Sequence, residues 1–279
     1  MHEYDYKGNT YYKGMKDGFD VCASIFGVRI GNQSIPKWHL GDNYKILSRT
    51  TTKEAIERLS DEFCLPMGLA NVTRVDVGFQ LPLKHPLGEY LCMFGATASQ
   101  MAKKTYKGSV YYQNYYRELC FYDKPKEQQA HHECQNYSGY NIMRYELRLK
   151  SQITRQLKVK ELTASALYDS EVWRKFVTLW YNEYMRVEKL NPDQSFDTDI
   201  ASIKDLQRVG VRMFILKSGG VEACLKSLKN LNNLGCIQET PYKRLRAYIR
   251  RVAKEQPKEV PELITELNTK IKNIWRHQR

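Results

Sequence analysis

The clearest periodicity in the chain is the two-residue alternation of IMRYELRLK. Met143, Tyr145, Leu147 and Leu149 share one face there, and Arg144, Glu146, Arg148 and Lys150 the other. NVTRVDVGFQL repeats the pattern, setting Val75, Val77 and Phe79 against Arg74, Asp76 and Gly78. Both predict half-buried strands. SVYYQN at 109–114 and RELCFYD at 117–123 predict two more, close enough to form a hairpin. Nearer the start, 21–30 and 43–48 read as strands with Gly, Asn and Pro turn signals between them. TTTKEAIERLSDEF predicts a helix capped by Thr51 or Thr52, with Ala55, Ile56, Leu59 and Phe63 at helical spacing. A short helix is expected over 87–94, ahead of a Lys-rich loop, AKKTYKGS.

From about residue 151 the period is helical, with Leu167, Trp173, Phe176, Val177 and Trp180 at helical intervals. Asn191-Pro192-Asp193 reads as a linker. Beyond it, helices are expected over 203–216 and 221–231, separated by Gly219-Gly220. A third starts at Pro241, and PELITELNTKIKNIW forms a fourth. The fold class is therefore α+β: an antiparallel sheet with flanking helices, then a helical basic C-terminal region. Two domains are expected, over 1–190 and 195–279.

With 42% hydrophobic and 12% aromatic residues, the chain has the material for a core, which excludes wholesale disorder. No apolar run approaches the roughly 18 residues of a membrane span. MHEYDYKGNTYYKG lacks the apolar stretch of a secretion signal. No membrane partner is therefore expected, and seven cysteines without a C-x-x-C pair suggest reduced thiols and a cytoplasmic location. The net charge is +13, and its placement says more than its size. Residues 201–279 hold 17 basic and 7 acidic side chains, and residues 101–160 hold 12 and 5. Such zones suit a polyanion, although a solubilising surface would look the same.

Candidate chemistry lies on the polar faces of the two clean strands. Asp76 and Glu146 each stand at mid-strand among cations, where they are either ligands of a hard divalent ion or members of cross-strand ion pairs. Between them runs CFYDKPKE, in which Tyr122 precedes Lys124 by two residues and Glu127 by five. A phenol of pKa near ~10 needs a neighbouring cation or metal to act as a nucleophile. Lys124, two residues along the same strand, would face the same way. Six of the 20 tyrosines fall in 106–122, so packing or base stacking is the competing reading of Tyr122.

RVDVGF, CFYDKPKE and MRYELRLK, in this order and spacing, resemble the replication initiators of the filamentous-phage gene II type, within the wider kinship of rolling-circle initiators. Tyr122, Lys124 and Glu127 match a Y-x-K-x-x-E motif of that family. Arg74 and Asp76 match an R-x-D strand, and Arg144, Glu146, Arg148 and Lys150 an R-[FY]-E-x-R-[IL]-K strand. The match covers roughly 20–170 well and the C-terminus only loosely.

The resemblance implies a site-specific single-strand endonuclease that starts rolling-circle replication by forming a 5′-phosphotyrosine and a free 3′-hydroxyl. It makes Tyr122 the nucleophile, with Tyr111, Tyr112, Tyr115 and Tyr116 the next candidates. Asp76 and Glu146 would be ligands of Mg²⁺ or Mn²⁺, and Glu127 a third ligand or a base. Lys124 would assist phenolate formation or bind the scissile phosphate. DNA contacts would come from Arg74, Arg144, Arg148 and Lys150, and from Lys243, Arg244, Arg246, Arg250 and Arg251 near the C-terminus.

The expected partner is single-stranded DNA at a replication origin, in the cytoplasm of a bacterial host. No G-x-x-x-x-G-K-[ST] motif is present, so unwinding would fall to a host helicase. The His-hydrophobe-His motif of many rolling-circle nucleases is missing, because His131 and His132 are adjacent. Cys120, His131, His132 and Cys134 match no common zinc spacing. A mobilisation relaxase with the same chemistry and a non-catalytic nucleic-acid-binding regulator are the alternative functions.

Overall fold

The structure is a computed structural model of the chain, and it describes residues 2–42, 44–130, 139–191, 200, 202–254 and 260–279. By contacts it divides into two compact units, Met1–Ala70 with Thr163–Tyr168, and Asn71–Leu162 with Asp169–Arg279. The division therefore falls ahead of the R-x-D strand, and the C-terminal helices cluster with the sheet that carries the candidate chemistry. Pro192 and Asp193 of the expected linker lie outside the described residues.

The first unit opens with an antiparallel meander of β1 (His2–Tyr6), β2 (Asn9–Lys16), β3 (Phe19–Ser24) and β4 (Gly27–Gly31). Two-residue turns join its first three strands at Lys7-Gly8 and Asp17-Gly18, all four residues having positive φ. This is the backbone that the right-handed strand twist favours in tight hairpins. The single strand expected over 21–30 is split by a turn at Ile25-Phe26, with Ser24 paired to Gly27. Residues 44–48 form no strand, and Asn43 lies outside the described residues. After α1 (Ile35–Leu40) comes α2 (Arg49–Phe63). Its cap is Ser48, not Thr51 or Thr52: Ser48 accepts from the Thr51 backbone while the Thr51 hydroxyl accepts from that of Ser48.

The second unit is built on a five-stranded antiparallel sheet. Its elements are β5 (Val75–Pro82), α3 (Leu87–Leu91), β6 (Phe94–Thr97), β7 (Ala102–Tyr106), β8 (Ser109–Gln113), β9 (Arg117–Asp123), α4 (Lys124–Ala130) and β10 (Ile142–Leu149). They continue with α5 (Ile153–Leu157), α6 (Ser170–Met185), β11 (Val187–Lys189), α7 (Ile203–Lys217), α8 (Val221–Asn233), α9 (Glu239–Lys254) and α10 (Glu262–Gln278). The sheet order is β5-β10-β9-β8-β7, with β6 and β11 as a separate pair. The expected Lys-rich loop is thus the edge strand β7. All five of its residues are exposed, so no apolar face marks it, and charge is what keeps such an edge from pairing further.

The apolar face of the sheet is closed by α6 and α10. Tyr145 is fully buried and stacks on Phe121 at 4.4 Å and on Trp180 at 4.8 Å. Its hydroxyl donates to the Trp180 carbonyl at 2.9 Å, and the Trp180 indole donates back to the Tyr145 carbonyl at 3.2 Å. Ile264, Leu267 and Ile271 of α10 are also fully buried. A second cluster of Ile215, Cys224, Leu228 and Ile249 joins α7, α8 and α9. The α+β class stands as read from the sequence. Among the described residues no helix is long and apolar enough to cross a membrane.

The aromatic stack sets the strength with which the sheet is held. Trp180→Ala is expected to cost about 3–5 kcal/mol through the cavity it leaves. Tyr145→Phe keeps the stack and loses one hydrogen bond, and should cost only about 0.5–1.5 kcal/mol. Urea unfolding midpoints of the two variants measure the difference.

Candidate active site

The register of the sheet turns the alternation of its strands into rows. On the polar face Glu146 lies opposite Cys120 and Gly78, Arg144 opposite Tyr122 and Gln80, and Arg148 opposite Glu118 and Asp76. The β9–β8 register continues these rows into Ser109 beside Tyr122, Tyr111 beside Cys120, and Gln113 beside Glu118. The three motifs therefore meet on one face because β10 runs between β5 and β9.

Glu146 is the centre of this face, and it is only 7% exposed. Its Oε1 accepts from Arg144 Nε at 2.6 Å and from the Tyr122 hydroxyl at 3.0 Å. Its Oε2 accepts from Arg148 Nε at 3.0 Å and Nη2 at 2.8 Å. Burial pushes the carboxyl pKa up, but the charges and hydrogen bonds of Arg144 and Arg148 outweigh it, so the net direction is down. The Tyr122 phenol moves the other way. Burial pushes it well up, the Glu146 charge adds to that, and Arg144 opposes. At rest the pair is a protonated phenol donating to a carboxylate.

Space for this arrangement comes from Gly78. A Cβ there would lie 2.7 Å from Glu146 Cγ and 3.3 Å from the Arg144 guanidinium. The glycine is required by close approach and not by its backbone angles. Glu118 is the other member that sequence reasoning passed over. Its carboxylate lies 3.6 Å from Arg148 Nη1 and 3.4 Å from Lys150 Nζ, and it accepts from Cys120 Sγ at 3.4 Å. The alternation of β9 places Glu118 on the Tyr122 face, which was the available signal.

Asp76 holds Arg74 in a two-point pair, Nε to Oδ1 at 2.9 Å and Nη2 to Oδ2 at 2.8 Å, with Arg148 Nε 3.9 Å from Oδ2. The hydrogen bonds that Arg74 donates to Asp76 hold its guanidinium above its ordinary pKa. Asp76 and Glu146 thus face each other across the Arg148 guanidinium. These are the two residues expected to hold Mg²⁺ or Mn²⁺, yet both carboxylates are occupied by arginine. Among the described residues no group of three His, Cys, Asp or Glu side chains is placed to hold a metal ion. The donor set as arranged fits a guanidinium and not a divalent cation. His131, His132 and Cys134 of the zinc spacing lie outside the described residues.

Lys124 corrects an expectation. It does not continue the strand beside Tyr122 but opens α4. Asp123 accepts from the Lys126 backbone at 3.1 Å as the helix cap, and Pro125 follows in the first turn. The Lys124 side chain is 2% exposed, and its ammonium donates to Glu127 Oε2 at 2.6 Å. The Glu127 charge opposes ionisation of Tyr122. Of the other tyrosines, Tyr112 is fully buried and donates to the Gly95 carbonyl at 2.6 Å. Tyr115 and Tyr116 are exposed in the β8–β9 turn, and Tyr111 is on the site face. Lys243, Arg244, Arg246, Arg250 and Arg251 are exposed on α9, which packs on α7 and α8.

The family model Phage_CRI, described as the N-terminal part of a phage gene II replication-associated protein, matches residues 23–172, more than half of the chain. The chain belongs to that family. It is therefore a phage replication-associated protein by descent, and the matched span contains every site residue on the sheet. Comparison with curated proteins returns no match.

Two outcomes follow from the Glu146 cluster. Gly78→Ala is expected to destabilise by about 1–3 kcal/mol through overpacking against Glu146, read from urea midpoints. The second concerns acid. Because the Glu146 pKa in the folded state lies below its ordinary 4.5, the stability it contributes is present above that value and is lost as pH falls through the folded pKa. Glu146→Gln should flatten the acid limb of stability against pH, and an unchanged limb would place the acid sensitivity elsewhere.

Proposed function

We propose that the protein starts rolling-circle replication by nicking and rejoining single-stranded origin DNA through a covalent phosphotyrosine at Tyr122. The observation that carries this reading is the 3.0 Å hydrogen bond from the Tyr122 hydroxyl to a buried carboxylate flanked by two arginines. A nucleophile beside a base, with cations at hand for a phosphoryl group, is the arrangement that such a displacement needs. Family membership supports the replication setting.

The reaction follows from these groups. Tyr122 Oη attacks the scissile phosphorus as its proton passes to Glu146. The P–O3′ bond breaks, the 3′ oxygen takes a proton from solvent, and Glu146 returns its own. The products are a 5′-phosphotyrosine and a 3′-hydroxyl, and attack by a 3′-hydroxyl on the phosphotyrosine reverses the step.

Arg144 and Arg148 link binding to activation. When they turn to the phosphate they stabilise its transition-state charge. They also withdraw the cations that hold the Glu146 pKa down, so burial raises it and makes the carboxylate a better base at the moment of attack. Arg74, Lys150 and the exposed cations of α9 serve flanking phosphates. Origin DNA is the partner in a bacterial host cytoplasm, with strand unwinding left to a host helicase. The expected Mg²⁺ or Mn²⁺ dependence would require Arg148 to leave Asp76 and Glu146.

The test is an SDS-resistant adduct with labelled single-stranded origin DNA, with Mg²⁺, with Mn²⁺ and with chelator. Wild type should form it, and Tyr122→Phe should bind DNA with similar affinity and form none. An adduct that persists in Tyr122→Phe moves the nucleophile to Tyr111, Tyr115 or Tyr116. Wild type that binds DNA but never forms an adduct makes the protein a non-catalytic regulator.

A further inference from the structure

The same sheet face carries a second feature that the nicking reaction does not use. Beyond Tyr122, over β7 and β8, lies an open pocket of about 360 Å³ lined by Lys104, Tyr106, Ser109, Tyr111, Gln113 and Glu118. That volume is within the roughly 300–1,000 Å³ of clefts that take small-molecule-sized groups. The register fixes where it stands: Ser109 is the cross-strand neighbour of Tyr122, Tyr106 is the neighbour of Ser109, and Tyr111 lies between Lys104 and Cys120. With strands about 4.8 Å apart, the pocket begins one strand from the nucleophile.

We propose that this pocket binds one nucleobase of the single strand beside the scissile phosphate and favours a base with an exocyclic amino group. The inference deepens the nicking reading and rests on it for the placement of the phosphate. Tyr106 leaves 57% of its surface exposed and packs edge-to-face on Tyr111, with centroids 5.6 Å apart at 79°. Its ring is thereby steadied with surface left for a base. Tyr111 is half-buried, and burial pushes its phenol pKa up, so it stays a neutral donor.

The charges select a base over a phosphate. Lys104 and Glu118 are the two charged side chains of the lining, one of each sign. A phosphate would meet the Glu118 carboxylate, whereas an amino group on adenine, cytosine or guanine would donate to it. Ser109 and Gln113 add a hydroxyl and an amide able to donate and accept. Thymine has no amino group, and its one donor, N3–H, lies between two carbonyl oxygens that the Glu118 carboxylate would repel, so it would be disfavoured. Glu118 also sits 3.6 Å from Arg148, so the base pocket and the phosphate site share a wall.

The experiment measures equilibrium binding of the full chain carrying Tyr122→Phe, in chelator, to oligo(dA), oligo(dC), oligo(dT) and an abasic strand of equal length. The expected order places oligo(dA) and oligo(dC) above oligo(dT). Tyr106→Ala should weaken the base-bearing strands by about 5- to 150-fold, the range for loss of one stacked base, and leave the abasic strand unchanged. Glu118→Gln should bring oligo(dC) and oligo(dT) to equal affinity. The proposal is overturned if Tyr106→Ala weakens all four strands alike, abasic included, or weakens none. It is also overturned if oligo(dT) binds as well as oligo(dC) before any change at Glu118. No cleavage enters the readout, so a failed pocket and a failed nuclease give different results: the first leaves the covalent adduct of wild type intact, and the second leaves the strand preference intact.

Discussion

A carboxylate taken out of water on a sheet face needs cations on both sides, and most of the polar face follows from that need at Glu146. Arg144 and Arg148 stand two residues either side of it on the same strand, so β10 brings its own counter-charges. Gly78 on β5 yields the space over which Glu146 and Arg144 lie. Tyr122 on β9 completes the shell with a hydroxyl. Arg148 then extends the network to Asp76 and Glu118, so three strands are tied by one guanidinium. Removing Glu146 takes the shared acceptor from Arg144, Arg148 and Tyr122 at once, which is why the cluster behaves as a unit.

The opposite face solves a different problem with the same strands. Tyr145 and Leu147 flank Glu146 in sequence and are fully buried against α6 and the neighbouring strands. From Met143 to Leu149 the residues of β10 thus alternate between the apolar core and the charged cluster. A shift of one residue in its register would exchange the two sets, placing Arg144 and Arg148 in the core. The stack of Phe121, Tyr145 and Trp180 and the pairing of Glu146 hold the same alignment from opposite sides.

What the sequence disclosed divides along physical lines. The alternation of β5, β9 and β10 was legible because each has one apolar and one polar face. β7 was not, since AKKTY is exposed throughout and its strand character comes from pairing with β8. The N-terminal meander also has little apolar patterning, though Asp17-Gly18 was a readable turn signal. Asp123, Pro125 and Glu127 spell a helix start, so the strand alternation through Tyr122 ends at Asp123 and does not reach Lys124. The alternation of β9 already puts Glu118 on the Tyr122 face, whereas the close approach at Gly78 exists only through the register. That register depends on contacts far apart in sequence.

The pairing of Arg144 and Arg148 with Glu146 bears on how DNA binding should depend on salt. An arginine that reaches a phosphate from open solvent frees a condensed cation, and the slope of log affinity against log salt counts such events. An arginine that leaves a carboxylate for a phosphate must first break an ion pair that salt also weakens, which offsets part of that gain. If the protein binds DNA as proposed, contacts made by this cluster would add little to that slope, while those of the exposed cations on α9 would register fully. The slope would undercount the phosphates that lie nearest Tyr122.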